Sequence, residues 1–291
     1  MRLGKSKLNG VSLFDVILAT FMIAFCASII LPFMHVIAVS LSHKYPVMRG
    51  EVIFWPKQFT IENYKEMLND VRFIKAYGIT IFVTVVGTFL SLSTTAMAAY
   101  ALSRRRMVGH GIYSGMITVT MFFGGGLIPT FLLVQSCGLI DSMWSLIIPN
   151  LIWTFDLIVM KNFFEGIPHE MYEAAVVDGA TEFTILVKIF VPLAKPAIAS
   201  ITLFFAMGQW NSFLTPSIYF TTASKMPLQV ILKDMLMDMT SQNSNNIEES
   251  KFTPEALKNA TVFISVLPFL VVYPFLQKYF VKGLTVGAVK G

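Results

Sequence analysis

Charge is scarce in this sequence. Of 291 residues only 13% are Asp, Glu, Lys or Arg, against 55% hydrophobic, and the mean hydropathy is +0.67. Soluble domains carry about 25% charged residues, so that class is excluded. Intrinsic disorder, which needs low hydrophobicity and dense charge, goes with it. Cysteine is scarcer still: Cys26 and Cys137 are the only two, too few for a disulfide framework. The four histidines, His35, His43, His110 and His169, are scattered. His169-Glu170 begins like a metalloprotease H-E-x-x-H, but position 173 is glutamate, so the second ligand is missing and no metal is expected. No G-x-x-x-x-G-K-[ST] phosphate loop occurs, so ATP hydrolysis has to come from elsewhere. Gly124-Gly125-Gly126 lacks the Lys and Ser/Thr of a phosphate cradle and reads as a helix kink or a close-packing site. The net charge of +5 comes from basic residues that punctuate apolar runs rather than cluster, which argues against nucleic acid.

Long apolar runs are what the sequence does have. Positions 16–42, 76–103, 107–140 and 196–224 are charge-free, as is 259–277, and 142–160 is interrupted only by Asp156. About 20 apolar residues cross a bilayer as a helix. Lipid cannot satisfy free backbone groups, so these windows predict an all-α membrane protein with six transmembrane helices, with Pro32, Pro129, Pro149, Pro216, Pro268 and Pro274 as kinks or span ends. The first window exceeds the roughly 7 to 15 apolar residues of a secretory leader and reads as a retained helix.

Basic residues near span ends set orientation. Arg2, Lys5 and Lys7, then Arg104, Arg105 and Arg106, then Lys278, Lys282 and Lys290 fall on one side if there are six spans. That side is expected to be cytoplasmic, with both termini inside. The expected layout is an N-terminal tail at 1–12, a membrane domain at 13–280 and a C-terminal tail at 281–291. Long connections near 42–75 and 218–258 fall on the outer side. The polar run Thr240-Ser241-Gln242-Asn243-Ser244-Asn245-Asn246 reads as a loop tip.

The connection 161–196 breaks the pattern. It holds Glu165, Glu170, Glu173, Asp178 and Glu182 against three lysines, so it is acidic where an inside loop is usually basic. Pro168 suits the start of a helix, Gly179 suits a left-handed stop, and Thr181 or Thr184 suits the start of a second helix ending before Pro192. Either this is a solvated connector, or it is a pair of surface helices offering an acidic, partly apolar face to a basic partner.

Glu173-Ala174-Ala175, then Gly179, then Ile189-Phe190-Val191-Pro192, with Ile167-Pro168 before and Asp178-Gly179-Ala180 within, resembles the EAA signature of permease subunits of bacterial ATP-binding-cassette importers. Valine at 191 stands where leucine is usual. Ile61-Glu62-Asn63-Tyr64, Gly126-Leu127-Ile128-Pro129-Thr130, Gly138-Leu139-Ile140-Asp141, Gln209-Trp210-Asn211 and the tail from Gly283 to Gly291 resemble the carbohydrate branch, of the second-permease type of the maltose transporter. The triple glycine is similar to that of a sub-branch importing plant or algal oligosaccharides. The resemblance implies a type I importer permease fold in the bacterial cytoplasmic membrane, without a cofactor of its own. It implies a second homologous permease, two copies of an ATPase subunit using ATP and Mg, an extracytoplasmic solute-binding protein and an oligosaccharide cargo. It also implies an ATPase-coupling loop at 165–192, carried by Glu170, Glu173, Ala174, Ala175, Asp178, Gly179 and Pro192, with Val289, Lys290 and Gly291 at the ATPase interface.

Asp156 is costly within a span and is a functional candidate by default. It either bonds a substrate hydroxyl or pairs with a neighbouring helix. Counting from Trp144 at 1.5 Å per residue puts it roughly 18 Å deep. Gln209, Trp210 and Asn211 combine a ring that stacks on sugar with amides that bond hydroxyls; interhelical packing is the competing reading. Three rivals to the sugar importer are a permease of the same kind for another small solute, a secondary transporter, and an intramembrane enzyme, for which the sequence offers neither a nucleophile with a base nor a complete metal set. The second should show internal repeats and several intramembrane charges, and the sequence has no visible repeat and one such charge.

Overall fold

The computed structural model describes residues 13–104, 107–241 and 253–288. In chain order the helices are α1 (Leu13–Ser40), α2 (Lys44–Met48), α3 (Glu62–Asn69), α4 (Val71–Ser103), α5 (His110–Phe122) and α6 (Leu127–Ser136). There follow α7 (Trp144–Ile147, closing in a 3₁₀ turn Ile148–Asn150), α8 (Thr154–Glu165), α9 (His169–Val177), α10 (Glu182–Ile185), α11 (Val191–Leu193), α12 (Lys195–Trp210), α13 (Leu214–Tyr219), α14 (Leu228–Ser241) and α15 (Pro254–Ala288). Among the described residues the only extended pairing is an isolated bridge between Ser42 and Phe59. The N-terminal tail 1–12, Arg105, Arg106, most of the polar run at 240–246, and Val289, Lys290 and Gly291 lie outside the described residues.

Among the described residues the six expected spans are three long helices and three bent pairs, each pair taken as one span. α1, α4 and the Pro254–Phe275 part of α15 are each long and apolar enough to span. α5 and α6 meet at 116°, α7 and α8 at 48°, and the stretch from Glu182 to Leu193 meets α12 at 88°. The first break is the glycine triplet, with Gly126 at φ +83°. A Cβ at Gly124 or Gly125 would meet nothing within 4 Å, so among the described residues of this chain the triplet serves the kink. The third break sits at Ala194, just before Pro196, which lacks the N–H needed to continue a helix through the corner. The window at 196–224 holds two helices, α12 and α13, parted at residues 211–213. Pro192 does not end its helix either. A π turn over Leu186–Phe190 precedes it, the wider winding leaving room for the ring, and the chain stays helical to Leu193. α15 runs through position 280 without a break.

Residues 13–69 and 235–266 form one compact unit, and 70–234 with 267–288 a second. In the first, α1 is buried only at its last three residues, Ala38, Val39 and Ser40. There Val47, Val52 and Ala256 complete a small core. Asn63 Nδ2 donates to the carbonyls of Ser40 (2.9 Å) and Ser42 (3.2 Å), and Tyr64 shares a 2.6 Å hydrogen bond with Ser40. Most of the rest of α1 is apolar and exposed, with His35 Nδ1 2.8 Å from the Ile53 carbonyl.

The second unit is built around α4, which packs along α12 and α8. Gly208 makes that packing possible: a Cβ there would stand 2.0 Å from Trp153 Cη2, so only glycine lets the indole lie on α12, beside Phe205. Toward the start of α4 a staple closes the unit. The Asp141 carboxylate accepts from the N–H groups of Thr221 (3.3 Å) and Thr222 (3.1 Å), the Thr222 hydroxyl (2.8 Å) and the Lys225 ammonium (2.8 Å). The N–H of Leu228 donates to Thr80 Oγ1 at 2.8 Å. The Lys225 and Thr222 contacts hold the Asp141 carboxyl down at about 2.

Candidate functional site

The acidic connection folds as a short helix standing on the end of α4. Pro168 precedes α9 in the extended conformation, and Glu170 in the first turn favours the positive end of the helix dipole. His169 lies 3.4 Å from Glu173, one turn on. The helix ends where expected. Gly179 takes φ +74°, its N–H bonds the Val176 carbonyl (3.0 Å), and the Ala180 N–H bonds that of Ala175 (2.9 Å). This double closure is the Schellman motif, which needs a left-handed residue. Thr181 then caps α10, accepting from the Thr184 N–H; Thr184 is not the start.

Only one residue of α9 is buried, Ala175, at 7% exposure. It reaches the cluster formed by Leu157, Met160, Phe164, Ile185, Leu186, Phe190 and neighbouring side chains. Glu170, Glu173, Ala174 and Asp178 are exposed, Val177 to 86%. Asp178 at the C-cap has the wrong sign for the helix dipole, so the helix itself gains nothing from it.

Beneath α9 lies an open groove of about 700 Å³ lined by, among others, Tyr100, Arg104, Phe164, Pro168, Tyr172 and Glu182. Arg104, just past the end of α4, fills its centre. The guanidinium carbon stands 3.5 Å from the ring centre of Tyr172, 4.7 Å from that of Tyr100 and 5.1 Å from that of Phe190. Its Nη2 donates to the Tyr100 hydroxyl (2.7 Å) and lies 3.8 Å from Glu182 Oε2. The Tyr100 hydroxyl donates to the same Oε2, and the Tyr172 hydroxyl to Oε1 at 2.8 Å. In the sequence Arg104 bears on orientation and Glu182 is one acid of five in its connection. Tyr100 and Arg104 sit four apart on one helix face, which was a legible signal for half of the cluster.

The pathway candidates are placed apart from this groove. Asp156 falls in the first turn of α8, is 1% exposed, and neither carboxylate oxygen has a hydrogen-bond partner among the described residues. The depth of roughly 18 Å assumed one unbroken helix from Trp144; the break between α7 and α8 removes that count, and the negative charge sits instead at a helix N-terminus, which favours it. Gln209 and Trp210 close α12 and are both buried, whereas Asn211 is exposed. The Gln209 side chain covers Gly87, where a Cβ would come within 3.3 Å of it. The Trp210 ring meets Tyr77 and Phe269 edge to face, each at 5.7 Å. In this conformation the three residues do not share one exposed surface.

Comparison with known proteins places this architecture. Residues 116–286 match the family described as binding-protein-dependent transport system inner membrane component. Protein LplC of Bacillus subtilis is 39% identical over 280 residues, covering 96% of this chain and 95% of its own. The polygalacturonan/rhamnogalacturonan transport system permease protein YtcP of the same organism is 38% identical, over 96% and 99%. Among solved structures, a chain from a bacterial ABC transporter involved in import of the acidic polysaccharide alginate superposes with a TM-score of 0.87 at 34% identity, over 92% of this chain and 96% of that one.

Proposed function

The chain belongs to the family of inner membrane components of binding-protein-dependent transport systems, and we propose that it carries acidic oligosaccharides, of the kind released from plant or algal polysaccharides, across the bacterial cytoplasmic membrane. It is a multi-pass permease subunit. Around it stand a second permease of the same fold, two copies of an ATPase that supplies ATP and Mg chemistry, and an extracytoplasmic binding protein that delivers the sugar. Both termini are cytoplasmic. The cargo reading is supported by the relatives at 38% and 34% identity, the first named for polygalacturonan and rhamnogalacturonan transport and the second from an importer of the acidic polysaccharide alginate. The arabinooligosaccharide permease of Halalkalibacterium halodurans stands at 26%.

The observation that carries the coupling role is α9 itself. One small buried residue seats it, and its opposite face offers Glu170, Glu173, Ala174, Val177 and Asp178 to a partner. Asp178, unfavourable for the isolated helix, is accounted for by a basic groove on the ATPase, where charge-assisted hydrogen bonds are strong. Gly179 sets the reversal that returns the chain to α10. Val289, Lys290 and Gly291 extend toward the same ATPase.

The reading is tested by pulling the tagged chain from its native membrane in mild detergent and identifying what accompanies it, then measuring uptake of oligogalacturonate, alginate oligosaccharide and a neutral maltooligosaccharide. Recovery with an ATPase and a second permease, and uptake of the acidic sugars alone, is the expected result. Recovery of the chain by itself overturns the importer reading; preference for the maltooligosaccharide overturns the cargo.

A further inference from the structure

We propose that Arg104 is a positioning residue for transport: its guanidinium is the joint through which movement of the coupling helix α9 reaches the membrane helices. This rests on the reading of α9 as the ATPase-docking helix.

Three rings surround Arg104, and each comes from a different segment: Tyr172 from α9, Tyr100 from α4, and Phe190 from the π turn that leads into α12. Glu182 closes the circuit, accepting from Tyr100 and Tyr172 while facing Arg104. A planar cation among ring faces is held by attraction to each ring, and the contact strengthens where water is excluded. Arg104 Nε is buried and has no hydrogen-bond partner among the described residues, where the guanidinium is held by the rings and through Nη2. The seat of α9 is otherwise thin, since Ala175 is its one buried residue. Tyr172 is therefore the main side-chain handle by which α9 is gripped, and Arg104 is what grips it. A pull on α9 is transmitted to α4 through Tyr100 and to the path into α12 through Phe190.

Lysine is a poor substitute for arginine here, because a point charge has no plane to lie against three rings. This separates positioning from simple charge neutralisation. In the complete complex reconstituted in proteoliposomes, with oligogalacturonate and its binding protein, the readouts are sugar moved per ATP hydrolysed and co-purification of the ATPase. Arg104→Gln and Arg104→Lys are expected to retain an assembled complex that hydrolyses ATP, with sugar moved per ATP reduced about tenfold in both. Glu182→Gln, at an exposed carboxylate, guards against misfolding at position 104 and is expected to give a smaller loss of the same kind. Gly179→Asp serves as the control for the docking reading. If Gly179→Asp abolishes uptake while both Arg104 variants keep the normal ratio of sugar to ATP, the joint is overturned and the docking helix stands. If Gly179→Asp leaves uptake unchanged, the docking reading fails first and the joint falls with it. Full rescue by Arg104→Lys would reduce the cluster to an ion pair and overturn the proposal as well.

Discussion

The two ends of α4 are fastened by different chemistry. Near Thr80, Asp141 collects two backbone N–H donors, a hydroxyl and an ammonium, so the loop after Tyr219 is held through its main chain. About 36 Å along the helix, at 1.5 Å per residue, the Arg104 guanidinium is held by side chains, three rings (one through its hydroxyl as well) and a carboxylate. Backbone partners are given up only when the turn unfolds, whereas rings and carboxylates change partner by changing rotamer. The first end is an anchor and the second a joint. A transporter that must move one side while keeping the other closed needs both.

Substitutions sharpen or break this contrast. The largest effect is expected at the docking helix that the joint serves. Gly179→Asp forces a side chain into φ +74°, a strain of roughly 1–2 kcal/mol, and adds an acid to the docking turn; uptake should be lost while membrane insertion, assayed by fractionation, is unaffected. Normal uptake would remove α9 from the coupling path. Next comes the packing between the two ends. Gly208→Ala collides with Trp153 and should lower stability by about 1–3 kcal/mol, read as a fall in melting temperature in detergent. Adding Trp153→Leu should recover part of that loss, and strict additivity of the two changes would show that the contact does not limit packing.

At the anchor a smaller, local effect is expected. The Asp141 carboxyl titrates near 2, below its ordinary 3.8, because of Lys225 and Thr222. Its stabilising contribution is therefore complete above about pH 4 and is lost as pH falls toward 2. Protection of residues 219–226 from hydrogen exchange, relative to intrinsic rates, should hold down to about pH 4 and fall below it, and Asp141→Asn should lower it above about pH 4 without changing sugar moved per ATP. A drop in that ratio would make the anchor a moving part. The smallest effect is expected at Asp156→Asn: replacing a buried carboxylate that has no partner should leave stability equal or higher by about 1 kcal/mol, with uptake unchanged. Loss of uptake at unchanged stability would place Asp156 in the sugar's path.

Much of this was legible in the sequence where local physics decides. The charge-free windows located the apolar segments, and Gly179 ended α9 with the left-handed turn its residue type favours. The breaks were hidden because hydropathy is blind to direction: the glycine triplet is as charge-free as the helices it separates, so 107–140 read as one span. Pro192 misled in the opposite sense, a helix breaker accommodated by the π turn before it. Among the candidate residues, Gln209 and Trp210 showed their chemistry but not their burial, which depends on Gly87, Tyr77 and Phe269, distant in sequence. The Arg104 cluster joins positions 82 apart, and no local pattern announces the carboxylate that a phenol will meet.

The π turn over Leu186–Phe190 also sets a rule of length. It winds one residue more than a regular turn would need, so deleting a single residue there would leave an ordinary α-helix with no loop to mend. The deletion would also swing Glu182 about 100° around the helix axis relative to α11, the angle one residue spans, and carry it away from Arg104. A gap at this place in a related gene would therefore mark a chain that keeps its helix and has lost its joint.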